Sequence, residues 1–321
     1  MNYRHIYHAG NFADIVKHFT LIAIIEQLKK KEKPFAVLDA FAGIGQYDLL
    51  SVEALKTNES INGVQKLLQY ANLKKIRPEL IQKFLNIISL NPKSIYPGSP
   101  RIIHQLLRTH DRLIACELHP EDYKSLKILF TCTNNRPLSK LSEERGFGGD
   151  TERRSAAHSR FVSDSSTGPV YKSSAEVEFR KRSNISIHQL DAYLAIKAFL
   201  PFIENRGLVF IDPPFERKDE FSKLIEALKI IKHRASNICV LIWYPIKSTA
   251  EIKKFYQDYK IIGFKEALTI DFMLLDSPNN MHQCGLLVIN PPNIKNEISA
   301  LMKYLTDNIF LNQAKFKISV I

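Results

Sequence analysis

The stretch Phe35-Ala-Val-Leu-Asp39-Ala-Phe-Ala-Gly43-Ile-Gly45 decides the fold. Four apolar residues stop at an acid and run into a glycine-bearing turn. A short strand buried on both faces reads this way when it delivers the chain to a loop at the edge of a parallel sheet. Similar apolar runs recur at residues 112–116, 185–187, 208–211, 238–243 and 285–289, most of them separated by helical stretches such as 192–200 and 221–232. Strands alternating with helices predict an α/β fold, a doubly wound Rossmann-like sheet. Upstream, Ile15, Val16, Phe19, Ile22, Ile25 and Leu28 recur at spacings of three and four, which predicts an amphipathic helix over residues 12–28, ended by the lysine-rich run 29–33.

Between residues 47 and 90 the pattern is helical, with Leu67, Leu68, Tyr70, Ile81, Phe84 and Ile87, and too long for an ordinary crossover. The expected organisation is a catalytic domain of residues 1–46 and 96–321, with a helical sub-domain, 47–95, inserted after the first strand. In residues 133–182, serine, glycine, arginine and threonine displace the apolar residues, and the expectation is an insert without fixed structure. Residues 136–182 hold ten Lys/Arg and seven Asp/Glu, a net +3, so +9 of the formal +12 belongs to the rest of the chain. Within the insert, Glu152-Arg-Arg-Ser-Ala-Ala-His158 and Asp164-Ser-Ser-Thr-Gly168 resemble peptides encoded by mobile palindromic elements, which implies no catalytic role.

An excess of 45 Lys+Arg over 33 Asp+Glu suits a polyanionic partner, nucleic acid or a membrane surface. No stretch approaches the roughly 18 apolar residues of a membrane span, and residues 1–10 are too polar for a secretory signal, so a cytoplasmic protein with no membrane partner is expected. The four cysteines are far apart and form no Cys-x-x-Cys pair, which favours reduced thiols over zinc or disulfides.

The chemistry is carried by Asp212-Pro-Pro-Phe215, placed directly after the run 208–211. Ligands collect at the carboxyl ends of strands in an open α/β sheet, and two prolines fix the backbone there. An adenine amine is a poor nucleophile because its lone pair is delocalised into the ring. Acceptors such as the Asp212 carboxylate and the Pro213 carbonyl can localise that pair. Phe215 is expected to stack on the base, a contact worth about 1–3 kcal/mol. The same dipeptide at Pro291-Pro292 is a reminder that Pro-Pro also serves as a stiff turn.

Asp39 and the glycines Gly43 and Gly45 mark a cofactor loop. A third glycine opening a helix is missing, as is any phosphate-binding Gly-Lys-Ser/Thr, so dinucleotides and nucleoside triphosphates fall behind S-adenosylmethionine. Glu117, after the second strand, can accept ribose hydroxyls, and Asp191, after the third, an adenine amine. Either acid alone is more often a helix N-cap than a ligand, and it is their order along successive strand ends that favours the ligand. The tail Tyr3-Arg4-His5-Ile6-Tyr7-His8 can stack on and clamp RNA. His5, His8, Asp14 and His18 lack any diagnostic metal spacing, and no metal is expected.

Together, Tyr3-Arg4-His5, His8-Ala-Gly-Asn-Phe-Ala-Asp-Ile-Val-Lys-His18, Tyr96-Pro-Gly-Ser-Pro100, Glu117-Leu-His-Pro120, Asp212-Pro-Pro-Phe215, Trp243-Tyr-Pro245 and Ile289-Asn-Pro-Pro292 resemble the RlmJ-type adenine-N6 methyltransferases of 23S ribosomal RNA. The resemblance implies a class I methyltransferase acting as a monomer on protein-free 23S RNA. It implies Asp212 as catalytic residue, with His18, Ser99, Glu117, Asp191, Ala192 and Asp212 around S-adenosylmethionine, and Tyr3, His5 and Lys17 toward the RNA. Transfer would be direct, with neither a covalent intermediate nor a metal. Phe215 stands where the family usually has tyrosine and Phe41 where it has a cofactor-contacting histidine. Two rivals stay open: the same chemistry on DNA, and an RNA-binding protein that has lost its cofactor.

Overall fold

A computed structural model describes residues 4–73, 77–132, 184–275 and 282–321; Tyr3 and the insert expected at 133–182 lie outside the described residues. From the N-terminus, α1 (Phe12–Lys29) leads to β1 (Ala36–Asp39) and β2 (Gln46–Asp48). Three helices follow, α2 (Val52–Thr57), α3 (Val64–Leu73) and α4 (Glu79–Ser89), and then β3 (Ile95–Pro97), which pairs with β2. Next come α5 (Ser99–Leu106), β4 (Arg112–Cys116), α6 (Pro120–Cys132), β5 (Ile185–His188), α7 (Ala192–Phe199) and β6 (Gly207–Ile211). The chain ends with α8 (Glu220–Arg234), β7 (Cys239–Pro245), α9 (Thr249–Ile262), β8 (Ala267–Leu274), β9 (Gln283–Ile289), α10 (Lys295–Tyr304) and β10 (Ala314–Val320). The described residues up to 127 and from 184 onward form one compact unit; of the other, 128–183, only the end of α6 is described.

The sheet runs β10-β8-β9-β7-β6-β1-β4-β5. Five strands, β5 through β7, are parallel, while β9, β8 and β10 add antiparallel pairings at the far side. All four residues of β1 are buried, as its uninterrupted apolar run requires between two flanking strands. Asp39, its last residue, lies level with Ala115 and Phe210. From β1 the chain proceeds outward to β4 and β5, then returns to β6 on the other side. This reversal opens a crevice at the carboxyl ends of β1 and β6, the usual ligand position of a doubly wound sheet.

The helix expected over 12–28 forms, but as a core helix: residues 12–25 are all buried. The sheet covers one face and α4, α5 and α10 cover others, so no solvated face remains along this length. Its exposed end is capped from elsewhere. Arg108 donates to the carbonyls of Lys29, Lys31 and Lys33, and Arg206 to those of Leu28 and Lys33, placing cations at the negative end of the helix.

The helical reading of 47–90 resolves into α2, α3 and α4. It begins only after Ser51, whose hydroxyl accepts the Ala54 N–H at 3.2 Å. Phe84 of α4 is fully buried with its ring 4.8 Å from that of Phe19, which ties this region to α1 and contributes about 1.5–3 kcal/mol. Cys116, Cys239 and Cys284 are buried free thiols on β4, β7 and β9. Among the described residues no helix is long and apolar enough to cross a membrane.

Candidate active site

One cleft lies at the carboxyl edge of β1, β4, β6 and β7. After β1 the chain turns at Gly43, whose φ of +59° favours glycine and whose missing side chain matters, since an added Cβ would collide with the Tyr47 hydroxyl. The Gly43 N–H donates to Glu117 Oε2 at 2.9 Å, and the His119 N–H to Oε1 at 2.7 Å. Burial raises the Glu117 pKa and these amides partly offset it. Each carboxylate oxygen keeps acceptor capacity for a ligand hydroxyl. Asp191 caps α7, its Oδ1 accepting the N–H groups of Tyr193 at 3.0 Å and Leu194 at 3.1 Å. Asp191 and Ala192 also line the cleft, so capping and ligand binding are compatible at this acid.

At the end of β6, Asp212 and Pro213 face the same cleft. Asp212 Oδ2 accepts a hydrogen bond from Lys17 Nζ at 2.6 Å, and Lys17 also lies 2.7 Å from Asp14 Oδ1. Asp14 Oδ2 in turn takes the Gly10 N–H at 2.8 Å and pairs with His5 Nε2 at 3.0 Å. Burial by itself would raise the Asp14 carboxyl, but the Lys17 charge and His5 hold it well below the usual carboxylate range. Burial opposes the Lys17 charge, yet Asp14 and Asp212 together raise its pKa above the ordinary lysine value. Lys17 is therefore an ammonium, a donor rather than a base.

His18 and Ser99 line the wall beside this cluster. Burial first, with the Lys17 and His5 charges adding to it against Asp14, lowers the His18 pKa to about 3. Its Nδ1 lies 2.7 Å from the Tyr96 hydroxyl, leaving a neutral imidazole whose Nε2 is not used by that bond. Beneath the cleft Asp39 is fully buried, and neither of its oxygens makes a well-formed hydrogen bond, although Ser99 and the Phe41 N–H lie near enough to act on it. Burial raises its pKa to about 7. Ser99 and the Phe41 N–H face it and pull the other way, and so does Lys17, while the negative charge of Asp212 adds to the rise.

Of the residues read from sequence, His5, Lys17, His18, Gly43, Ser99, Glu117, Asp191, Ala192, Asp212 and Pro213 all meet in this cleft, while Asp39 lies beneath it. Phe215 does not line it. With φ at +49° after the two prolines, its half-buried ring packs against Phe221 at 5.0 Å and edge-on to Trp243 at 6.0 Å, against the edge of the hydrophobic core. The cleft's aromatic lining is Phe41, Tyr47 and Trp243, with Lys17 Nζ 5.8 Å from the Trp243 ring centroid. Trp243 lies inside a buried strand, where sequence offers no sign of a ligand-facing ring. Sequence offers Asp14 only as a metal ligand, yet its partners are an ammonium, an imidazole and an amide. Among the described residues no group of three or more His, Cys, Asp or Glu could hold a metal.

A family model described as "Ribosomal RNA large subunit methyltransferase D, RlmJ" matches residues 32–160 and 170–321. "Ribosomal RNA large subunit methyltransferase J" of Escherichia coli is 31% identical over 298 residues, 91% of this chain and 88% of that protein. The protein of the same name from Haemophilus influenzae is 30% identical over 317 residues, covering 96% and 94%. A Legionella pneumophila protein of known crystal structure superposes with a TM-score of 0.73 at 27% identity, over 97% of this chain and 98% of that one.

Proposed function

This chain belongs to the RlmJ family of ribosomal RNA large-subunit methyltransferases, and we propose that it transfers the methyl group of S-adenosylmethionine to the N6 amine of an adenine in 23S ribosomal RNA. The observation that carries this reading is a single cleft in which Glu117, Asp191 and Asp212, from the ends of three different sheet strands, meet. Residues 1–46 and 96–321 are assigned to the catalytic domain, 47–95 to a helical addition and 133–182 to an insert. The excess of basic over acidic residues suits the polyanionic substrate.

The donor set fits the cofactor. Glu117, between two amide donors, retains acceptor sites for ribose hydroxyls, and Asp191 can take the adenine amine. Ser99 and the neutral His18, which line the same cleft, would face the methionyl part, with the buried acid Asp39 beneath. When bound, S-adenosylmethionine supplies an electrophilic sulfonium methyl. Asp212 and the Pro213 carbonyl accept hydrogen bonds from the substrate amine, localise its lone pair and fix its approach. The prolines hold both acceptors without reorganisation, and Trp243 offers a face for the base. The amine proton passes to solvent during or after transfer, Lys17 being already protonated and unable to accept it.

The direct test is transfer of labelled methyl from S-adenosylmethionine to unmodified 23S RNA, with the product nucleosides separated. Label on adenine N6 is the expected result; label on another atom, or on DNA in preference to RNA, would overturn the assignment. The cofactor arrangement has its own check. Loss of a hydrogen-bonded charge in Glu117→Ala removes about 1.5–3 kcal/mol, so calorimetry should read an affinity for S-adenosylmethionine roughly 10- to 100-fold weaker. Unchanged affinity would mean that the ribose lies elsewhere.

A further inference from the structure

Asp14 sits in the first turn of α1, where an acid ordinarily serves the helix N-terminus. That need is already met by Asn11, whose side-chain oxygen accepts the Asp14 N–H at 2.9 Å. The Asp14 side chain turns inward instead and is 2% exposed. One turn later, Lys17 reaches between two carboxylates, 2.7 Å from Asp14 and 2.6 Å from Asp212.

The Lys17 contact with Asp212 is an N–H donor on a carboxylate, the same contact that a substrate amine has to make. Lys17 and the amine therefore compete for one acceptor. A buried ammonium with a single counter-ion would close on both of its oxygens, because attraction is strong where water is excluded. A second carboxylate on the opposite side limits that closure. We propose that Asp14 is a positioning residue for methyl transfer: it shares the Lys17 ammonium, restricting Lys17 to Oδ2 of Asp212 and leaving Oδ1 for the substrate amine. The inference rests on the adenine-methyltransferase reading above and deepens it.

Asp14→Asn keeps the volume, and its amide oxygen can stay with the Gly10 N–H and His5, which turns the NH2 toward Lys17. Lys17 should then settle on Asp212. A misplacement of this size at the reacting atoms is expected to lower kcat about 100-fold, while KM for S-adenosylmethionine stays within about twofold. Because Asp14 acts through Lys17, Asp14→Asn should cost nothing further in a Lys17→Met background, whereas a merely structural role would multiply the two losses. Asp14→Glu, which keeps the charge, should recover most of the rate and replaces the asparagine variant should that one unfold.

Trp243 is the chain's single tryptophan and lies under the Lys17 ammonium, so its fluorescence reports the lysine's position without any turnover. Emission is expected to change in Asp14→Asn and to be identical in Lys17→Met with and without the Asp14 substitution. Multiplicative kinetic losses, or an unaltered emission in a folded Asp14→Asn protein, would overturn the proposal. Absence of turnover by the wild-type chain would instead remove the functional reading, and the emission comparison would still decide whether Asp14 positions Lys17.

Discussion

Asp212→Asn is expected to lower the rate of methyl transfer to 23S RNA by about 1000-fold, the scale seen when one preorganised electrostatic contact to a reacting group is removed. The substitution keeps the shape of the side chain and one acceptor oxygen. It replaces the other oxygen with an NH2 that opposes the incoming amine, and it removes the negative charge that draws the amine's protons. Lys17 remains paired with Asp14 at 2.7 Å, so the change does not strand a buried cation and the fold should hold. S-adenosylmethionine affinity should fall far less than the rate, since Glu117, Asp191 and Ser99 lie elsewhere along the cleft. Single-turnover transfer of labelled methyl, read beside calorimetric cofactor binding, separates the two. A variant within about tenfold of wild type would remove Asp212 from the centre of the mechanism.

The acids of this site that the strand pattern alone makes legible share one property: each closes or follows a strand with an apolar run. Asp39, Glu117 and Asp212 are fixed by β1, β4 and β6, whose burial on both faces leaves a plain trace. Asp191 was ambiguous for a physical reason, because it is a helix cap and a cleft residue at once. The strands that sequence did not announce are β2 and β3, three residues each, β8, interrupted by Thr269 and Asp271, and β10, whose lysines alternate with apolar residues at the edge of the sheet. Short or edge strands carry weak patterns because little of their surface is enclosed.

What sequence could not supply was pairing across distance. Lys17 and Asp212 are 195 residues apart, and only the fold brings the first helix to the end of β6. The placing of Phe215 is hidden for a related reason. A motif that ends in an aromatic residue gives no warning that a left-handed φ will lay the ring against Phe221 and Trp243, a conformation costing about 1–3 kcal/mol that surrounding packing must hold. Trp243, braced edge-on by that ring, is the consequence.

Asp39→Asn is expected to stabilise the ligand-free protein at pH 8 while leaving it nearly unchanged at pH 4. Folding moves this carboxyl from 3.8 to about 7, because burial and the Asp212 charge penalise its charged form more than Ser99, Lys17 and the Phe41 N–H favour it. Between those values the native state holds a proton that the unfolded chain has released, so stability falls as pH rises through the window. The slope is about 1.4 kcal/mol per pH unit, roughly 4 kcal/mol in all. Asparagine removes that loss, and comparison of the two proteins at each pH cancels every other titration. Thermal or urea unfolding from pH 4 to pH 8 should show the gap opening with pH; a gap that stays flat would mean that Asp39 finds a partner in solution. The proposed cofactor is cationic and Asp39 lies buried beneath the cleft, which predicts what closes the gap. S-adenosylmethionine brings a sulfonium charge and should stabilise wild type more than Asp39→Asn at pH 8, whereas S-adenosylhomocysteine, lacking that charge, should discriminate less between them. Equal effects of the two ligands would show that the ionised Asp39 does not sense the sulfonium, and would leave its burial as a cost of the fold alone.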